Sequence, residues 1–197
     1  MELQIMPLKE TLKPLDLISQ GNLKSIRGIA LSSHLKERDV SQRMGRECER
    51  VLKARKFHPE INLLYDERER PAFEGPSIQP GAALAVWAET GTGCLIGADM
   101  AGARRRTAEF IGKQTALDLL ADLGSGAAVD RHLADQVIPF AALAKGTSTF
   151  RIPSVTEHVE ARLWLVEKIL GAKSRIHENL VTIDGIGFLR NRRLAIS

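Results

Sequence analysis

The sequence predicts an α+β fold built as two small domains, each with a sheet layered against helices. First, 197 residues suffice for one large domain or two small ones that bury a core. Second, hydrophobic residues make up 44% and charged residues 26%, the balance of an ordinary globular protein. Third, residues 15–100 show a β-α-β-loop-β-β pattern, and residues 101–197 show helical segments interleaved with strands.

The first half of the chain contains one strongly amphipathic segment among several strands. Leu35–Lys56 is predicted to be a helix because its apolar residues recur at 3.6 spacing, namely Val40, Met44, Cys48, Val51 and Leu52. Predicted strands are Lys24–Ser32, Ile61–Tyr65, Ala82–Glu89 and Cys94–Met100, and Met1–Leu8 is a candidate strand. The segment Asp66–Pro80 is charged and rich in Pro and Gly, which predicts a loop.

The second half is predicted to contain three helices and a closing strand pair. Thr107 caps a helix that runs to about Leu123. The other predicted helices are Arg131–Ala144, kinked at Pro139, and Glu157–Leu170, ended by Gly171. The predicted strands are Thr149–Ile152, Arg175–Glu178 and Leu180–Ile183, followed by a basic tail around Asn191–Arg193.

Charge and cysteine content set broad limits on function. The formal net charge is +4, a mild basic excess that is compatible with a polyanionic partner and also common without one. Cys48 and Cys94 lack the spacing of a zinc site, so we expect buried thiols in a reducing compartment. The chain shows neither a signal sequence nor an apolar run near the ~20 residues of a spanning helix. We therefore expect a cytoplasmic protein with no membrane partner.

His158 is the candidate nucleophile. It falls in the first turn of a predicted helix, behind the possible caps Ser154 and Thr156. Helix N-termini attract phosphate, and a neutral imidazole there can attack an activated phosphorus to give a phosphoramidate. The alternative is a surface or capping histidine without a reaction, and this residue alone leaves both interpretations open.

A second polar cluster spans little more than one helical turn. His132 is three and four residues from Asp135 and Gln136, so the three share a face. Such a face can hold a purine and a ribose, or a metal through Asp135, or it is a solvated surface with a local His–Asp pair. One His and one Asp are too few ligands for a zinc site. The run Arg104–Arg106 is either a phosphate-contacting patch or a solvated turn.

Four segments in this order resemble the RNA 3′-terminal phosphate cyclase family over most of residues 12–170. The segments are L-K-P-L-D-L-I-S-Q-G-N-L-K-S-I-R-G-I-A, G-A-D-M-A-G-A-R-R-R-T-A-E-F-I-G, A-A-V-D-R-H-L-A-D-Q and T-E-H-V-E-A-R-L-W-L-V-E-K-I-L. The resemblance implies an incomplete cyclase-like architecture. Residues 1–14 would be a remnant of the preceding catalytic domain, 15–100 the inserted domain, and 101–197 the last catalytic repeat.

The resemblance also implies a reaction and a site. Members use ATP and a divalent metal, Mg²⁺ or Mn²⁺, to form a histidine–AMP, and then convert an RNA 3′-phosphate to a 2′,3′-cyclic phosphate. By position, His158 would accept AMP. The ATP site would be lined by His132, Leu133, Ala134, Asp135 and Gln136. No residue is assigned as a metal ligand.

The chain departs from the family in length and near the nucleophile. Members are roughly twice as long, and their N-terminal half supplies further ATP and RNA contacts; Ala161 and Arg162 stand where the family often has Thr and then Asn or a small residue. We therefore expect a truncated or split cyclase whose partners are an RNA 3′ end and a separate N-terminal half, with self-association as a further expectation. The alternative is an inactive fragment or a non-catalytic relative that binds RNA or assists ribosome assembly.

Overall fold

The computed structural model describes residues 10–69, 71–75 and 77–189. The strands of this part are β1 (Asp16–Leu17), β2 (Leu23–Ser33), β3 (Pro59–Asp66), β4 (Gly81–Thr90), β5 (Leu95–Ala101), β6 (Lys145–Arg151), β7 (Lys173–His177) and β8 (Leu180–Ile186). Its α-helices are α1 (Val40–Ala54), α2 (Ala108–Gly124), α3 (Leu133–Gln136), α4 (Ile138–Leu143) and α5 (Glu157–Leu170). The candidate strand Met1–Leu8 and the basic tail Asn191–Arg193 lie outside the described residues.

The predicted α+β fold is confirmed, with two four-stranded mixed sheets accompanied by helices. The chain divides into two compact units. The central unit is Ser19–Asp130, and the terminal unit comprises the described residues of Met1–Ile18 and Arg131–Ser197. None of the helices in the described part combines the length and apolarity that a bilayer crossing requires.

The central unit is a sheet of order β3-β2-β4-β5 whose core lies between the sheet and helices α1 and α2. Strand β2 pairs parallel with β3, with Ile26 opposite Pro59, and antiparallel with β4. The predicted apolar face of α1 is confirmed, because Met44, Cys48 and Leu52 have no exposed surface. Burial raises the pKa of the Cys48 thiol to about 12, as expected for a structural thiol.

Helices α1 and α2 approach closely because α2 has a glycine at the contact. A Cβ on Gly112 would collide with the carbonyl oxygen of Met44 and lie 3.1 Å from the amide nitrogen of Cys48. The start of α2 is as predicted, since the Thr107 hydroxyl accepts a 3.1 Å hydrogen bond from the amide of Phe110.

The boundary between the units differs from the prediction, which placed it after residue 100. It lies after Asp130, because α2 packs against α1, β4 and β5. The physical reason is the apolar surface of α2. Ile111, Ala116 and Leu119 belong to the same buried cluster as the core residues of α1.

The loop after β3 is present as predicted, and Asp66 organises it. The buried Asp66 carboxylate accepts hydrogen bonds from the amides of Ser77, at 2.7 Å, and Ala72, at 2.9 Å. These two amides lower the pKa of Asp66, because they stabilise the ionised carboxylate.

The terminal unit is a sheet of order β1-β6-β8-β7, with β1 parallel to β6 and the other pairs antiparallel. Its core includes Phe150, Ile152, Val181 and Ile183, and α5 contributes the buried residues Val159, Leu163 and Val166. Helix α5 ends as predicted, since Gly171 adopts the left-handed conformation at φ 73° and its amide donates to the Glu167 carbonyl.

The predicted helix Arg131–Ala144 is two short helices rather than one kinked helix. Helix α3 ends at Gln136, and α4 begins at Ile138 with Pro139 in its first turn. A proline clashes with the preceding turn and lacks an amide hydrogen, so it is tolerated at the start of a helix and not in its interior. The chain therefore breaks before Pro139.

Candidate functional site

The segment before α5 is held by hydrogen bonds that determine where the helix begins. The Thr156 hydroxyl accepts a 3.3 Å bond from the amide of Val159, which makes Thr156 the N-cap. Asn179, in the turn between β7 and β8, accepts from the Ile152 amide at 2.9 Å and donates through Nδ2 to the Pro153 carbonyl at 3.0 Å. The short linker before α5 is therefore fixed to the β7–β8 turn at its first residues and capped by Thr156 at its last.

His158 is the second residue of α5, and its side chain is exposed. This is the position predicted from the sequence. The next residue, Val159, is buried and packs into the core, so the backbone beneath the imidazole is anchored. An exposed ring on an anchored first helical turn is accessible to a phosphate drawn to the amides of that turn.

The second predicted cluster lies on and beside α3. His132 immediately precedes the helix, and Ala134 is buried and holds the helix against its surroundings. Leu133 and Gln136 are exposed, whereas the Asp135 side chain retains 19% of its surface. The cluster is therefore one anchored turn with several side chains accessible from outside.

An ion pair joins this cluster to the helix of His158. Arg162 Nε donates a 2.7 Å hydrogen bond to Asp135 Oδ2. Arg162 follows His158 by four residues, so the two side chains lie on the same face of α5, one turn apart. Helices α3 and α5 pack together in the same unit. The structure thus brings the two predicted segments onto neighbouring helices.

Arg162 is the residue of this site that sequence reasoning missed. In the sequence it appears only as a departure from the family pattern. The one signal that could have found it is its four-residue spacing from His158, which predicts a shared face but not the partner 27 positions earlier.

The predicted Arg104–Arg106 patch belongs to the central unit, and all three residues are exposed. Arg106 Nη1 donates a 2.8 Å bond to the Ala101 carbonyl, which favours the interpretation of a turn for that residue.

A cleft of about 460 Å³ in the terminal unit is lined by Glu167, Asp184 and Gly171–Arg175, and neither His158 nor Asp135 is among its residues. The Ser174 hydroxyl and amide lower the pKa of Glu167 by hydrogen bonding to its carboxylate.

A divalent metal was predicted as a cofactor, but no residue was assigned as its ligand. Across residues 10–69, 71–75 and 77–189, no group of three or more His, Cys, Asp or Glu side chains is arranged to hold a metal ion. A magnesium ion that accompanies ATP is commonly bound through one or two carboxylates and the substrate phosphates.

The chain matches a family model described as "RNA 3′-terminal phosphate cyclase (RTC), insert domain" over residues 18–124. It is also similar to curated proteins named RNA 3′-terminal phosphate cyclase. The relative from Methanopyrus kandleri is 37% identical over 163 residues, which cover 81% of this chain and 44% of the relative. The relative from Staphylothermus marinus is 31% identical over 192 residues, which cover 94% of this chain and 52% of the relative.

The chain therefore spans about half the length of the curated relatives it matches. The family-model match coincides closely with the central unit, Ser19–Asp130, and covers more than half of the 197 residues. The alignment with the Staphylothermus relative covers 94% of the chain and so includes residues of the terminal unit as well. We conclude that this chain belongs to the RNA 3′-terminal phosphate cyclase family.

Proposed function

We propose that the chain contributes the adenylated histidine of an ATP-dependent RNA 3′-terminal phosphate cyclase, with His158 as the nucleophile. One observation supports this most directly. Arg162, one turn after the exposed His158 on the same face of α5, forms an ion pair with Asp135 of the predicted nucleotide segment. This ion pair holds the helix that carries His158 next to that segment, as expected if both belong to one nucleotide site.

The proposed reaction has three steps. An imidazole nitrogen of His158 attacks the α-phosphorus of ATP, a P–N bond forms, and pyrophosphate leaves. An oxygen of the RNA 3′-phosphate then attacks the same phosphorus, the P–N bond breaks, and AMP is joined to the RNA end. Finally the neighbouring 2′-hydroxyl attacks the 3′-phosphate, loses its proton, and expels AMP to leave a 2′,3′-cyclic phosphate.

Arg162 has a geometry suited to the first step. Its Nε is engaged by Asp135, and among the described residues its two terminal NH₂ groups make no hydrogen bond. A guanidinium held by one edge presents its remaining donors in a fixed direction, and such donors pair well with phosphate. We propose that Arg162 contacts the phosphates of ATP while Asp135 orients it, and that His132 and Gln136 line the nucleoside side of the site.

Complete cyclisation is proposed to need more than these residues. About half the length of the relatives has no counterpart in the alignment with this chain. Loss of one group that stabilises transition-state charge can reduce a rate by ~10²–10³. We propose that the remaining groups come from that other half, on the same or a separate polypeptide, and that a divalent metal enters with the nucleotide phosphates.

The test is covalent labelling by ATP. The purified chain is incubated with ATP labelled at the α-phosphate and with Mg²⁺ or Mn²⁺, alone and together with the part of the Methanopyrus relative that this chain does not match. Acid-labile, alkali-stable label on the chain is expected. His158→Ala should abolish it, whereas His177→Ala, which removes another exposed histidine of the same unit, should leave it unchanged.

Failure of both mixtures to label the chain would contradict the proposal. Retention of label in His158→Ala would contradict the assignment of the nucleophile. A chain that binds RNA and takes no label under either condition would instead be a non-catalytic, cyclase-like binding protein.

A further inference from the structure

A cleft of about 660 Å³ in the central unit has no role in the proposed reaction. Its volume is that of a small-molecule site. It is lined by Gln20, Leu23, Arg55, Phe57, Leu117, Leu120, Ala121, Leu123 and Gly124. All of these residues belong to Ser19–Asp130, so the cleft is formed by this unit alone.

One wall of the cleft is apolar and partly open to solvent. Phe57, Leu120 and Leu123 pack at the edge of the core of the central unit and are only partly buried. Leu117 and Leu23 are 39% and 37% exposed, so large apolar side chains face the cleft with part of their surface accessible to solvent. An apolar surface that includes an aromatic ring is the kind of surface on which an unpaired base stacks.

A polar group in the wall is left unsatisfied. Gln20 Nε2 donates a 2.9 Å hydrogen bond to the Leu123 carbonyl, and only the NH₂ group of the amide can make this bond. Its Oε1 is consequently directed elsewhere, is buried, and has no hydrogen-bond partner within the described residues. Buried acceptors of this kind are rare and call for an explanation. A ligand that donates a hydrogen bond would satisfy this one once a shift of the Gln20 side chain brings the oxygen to the cleft.

The rim of the cleft is positively charged. Arg55 lines the cleft and Lys56 follows it, and both are exposed. Strands β2 and β3 run parallel with Ile26 opposite Pro59, so Lys24 lies at the same end of the sheet as Phe57. In the described part of the chain, none of these three cationic side chains has an acidic partner within ion-pair distance. The charge around the cleft therefore complements an anion.

We propose that this cleft binds an unpaired nucleotide of the RNA substrate. The base would lie on the apolar wall and donate a hydrogen bond to Gln20 Oε1, and the adjoining phosphates would pair with Arg55 and its basic neighbours. The choice of RNA as the ligand rests on the proposed function, in which RNA is the polyanionic substrate. The inference adds a second contact with the substrate, in a unit other than that of His158.

The experiment measures RNA binding in the absence of ATP. Fluorescence anisotropy of a labelled short single-stranded RNA is recorded with the full chain and three variants. Arg55→Ala removes the charge at the cleft, and Leu117→Trp fills the cleft from an exposed position. Lys36→Ala is the matched control, because it removes one exposed positive charge just after the opposite end of β2.

Arg55→Ala and Leu117→Trp should each weaken RNA binding about fivefold to tenfold, since phosphate pairing and base stacking each contribute on this scale. Lys36→Ala should change it less than about twofold. Circular dichroism is used to check that each variant folds. If Leu117→Trp does not fold, the surface variant Arg55→Ala still tests the proposal.

Equal binding by all four proteins, or an equal loss in Lys36→Ala, would overturn the proposal. Saturable binding of free AMP or UMP with no binding of the RNA would also overturn it, by assigning the cleft to a free nucleotide. Labelling of His158 requires no RNA, so failure of the cleft proposal leaves the adenylation proposal intact. Failure of labelling likewise leaves the RNA measurement valid.

Discussion

The pair of Asp135 and Arg162 should couple the stability of the terminal unit to its chemistry, and a double-mutant cycle can measure both effects. The variants are Asp135→Ala, Arg162→Ala and the double variant. In the native protein the two side chains meet at 2.7 Å through one donor and one acceptor, with 19% and 44% of their surfaces exposed, respectively. The pair is therefore partly, but not fully, accessible to water.

This exposure limits the effect on stability. In bulk water two unit charges at such a distance attract by about 1.5 kcal/mol, and loss of side-chain freedom offsets part of that gain. We expect a coupling free energy of about 0.5–1 kcal/mol in the urea-induced unfolding of the chain. The effect on labelling should be larger, because α3 has only four residues and this pair joins it to α5.

A displacement of a reacting group by about 1 Å can slow a reaction by ~10²-fold. We therefore expect Arg162→Ala to slow His158 adenylation by about tenfold to one hundredfold, well beyond its effect on stability. Arg175→Ala is the matched control. It removes a longer and more exposed pair with Asp184, at 3.4 Å, in the same unit.

The control should leave both readouts nearly unchanged. A coupling energy of zero, together with an adenylation rate in Arg162→Ala equal to that of the unmodified chain, would refute the inference that this pair organises the site. An equal loss of labelling in Arg175→Ala would indicate a general effect of charge rather than a local contact.

Three further predictions concern the stability of the two units. Thr156→Ala should destabilise the chain by about 1 kcal/mol in urea unfolding, because it removes the N-cap of α5, whereas Thr156→Ser should preserve stability. Gly112→Ala should cost about 1–3 kcal/mol by the same measurement, since the added Cβ meets the backbone of α1; an unchanged midpoint would contradict this close approach. The lowered pKa of Asp66 means that its hydrogen bonds stabilise the fold above the pKa of the unfolded state, and that this contribution is lost as the pH falls through the folded-state pKa. Asp66→Asn should reduce this acid sensitivity of the urea midpoint, and an unaltered pH profile would contradict it.

The elements with strong local signals could be predicted from the sequence. Helix α5 has an N-cap threonine, a 3.6-residue apolar period and a glycine at its C-terminal end, and its observed bounds are those predicted. Strand β6 was predicted only in its second half, Thr149–Ile152. Its first residues, Lys145–Thr147, are exposed and polar, so the apolar alternation that marks a strand is missing there.

Other features depend on which surfaces meet, and local patterns do not contain that information. The helical period of α2 indicates an apolar surface but not whether α1 or the terminal unit covers it, so the predicted boundary after residue 100 was too early. The proline at position 139 indicates a break in the helix. The outcome is a four-residue α3 followed by α4, and it depends on the burial of Ala134 and Ile138 in tertiary packing.

The candidate site, like the fold, could be predicted only in part from the sequence. The positions of His158 and Asp135 were predictable, because both lie within segments that resemble the family. Their connection was not, since it passes through Arg162, a residue notable in the sequence only for departing from the family pattern. If the adenylation proposal is correct, this arginine has taken on a role that the family pattern does not require. Its Nε holds α3 in place, and its terminal NH₂ groups remain available to a phosphate, so one side chain would supply both the geometry and the charge of the nucleotide site.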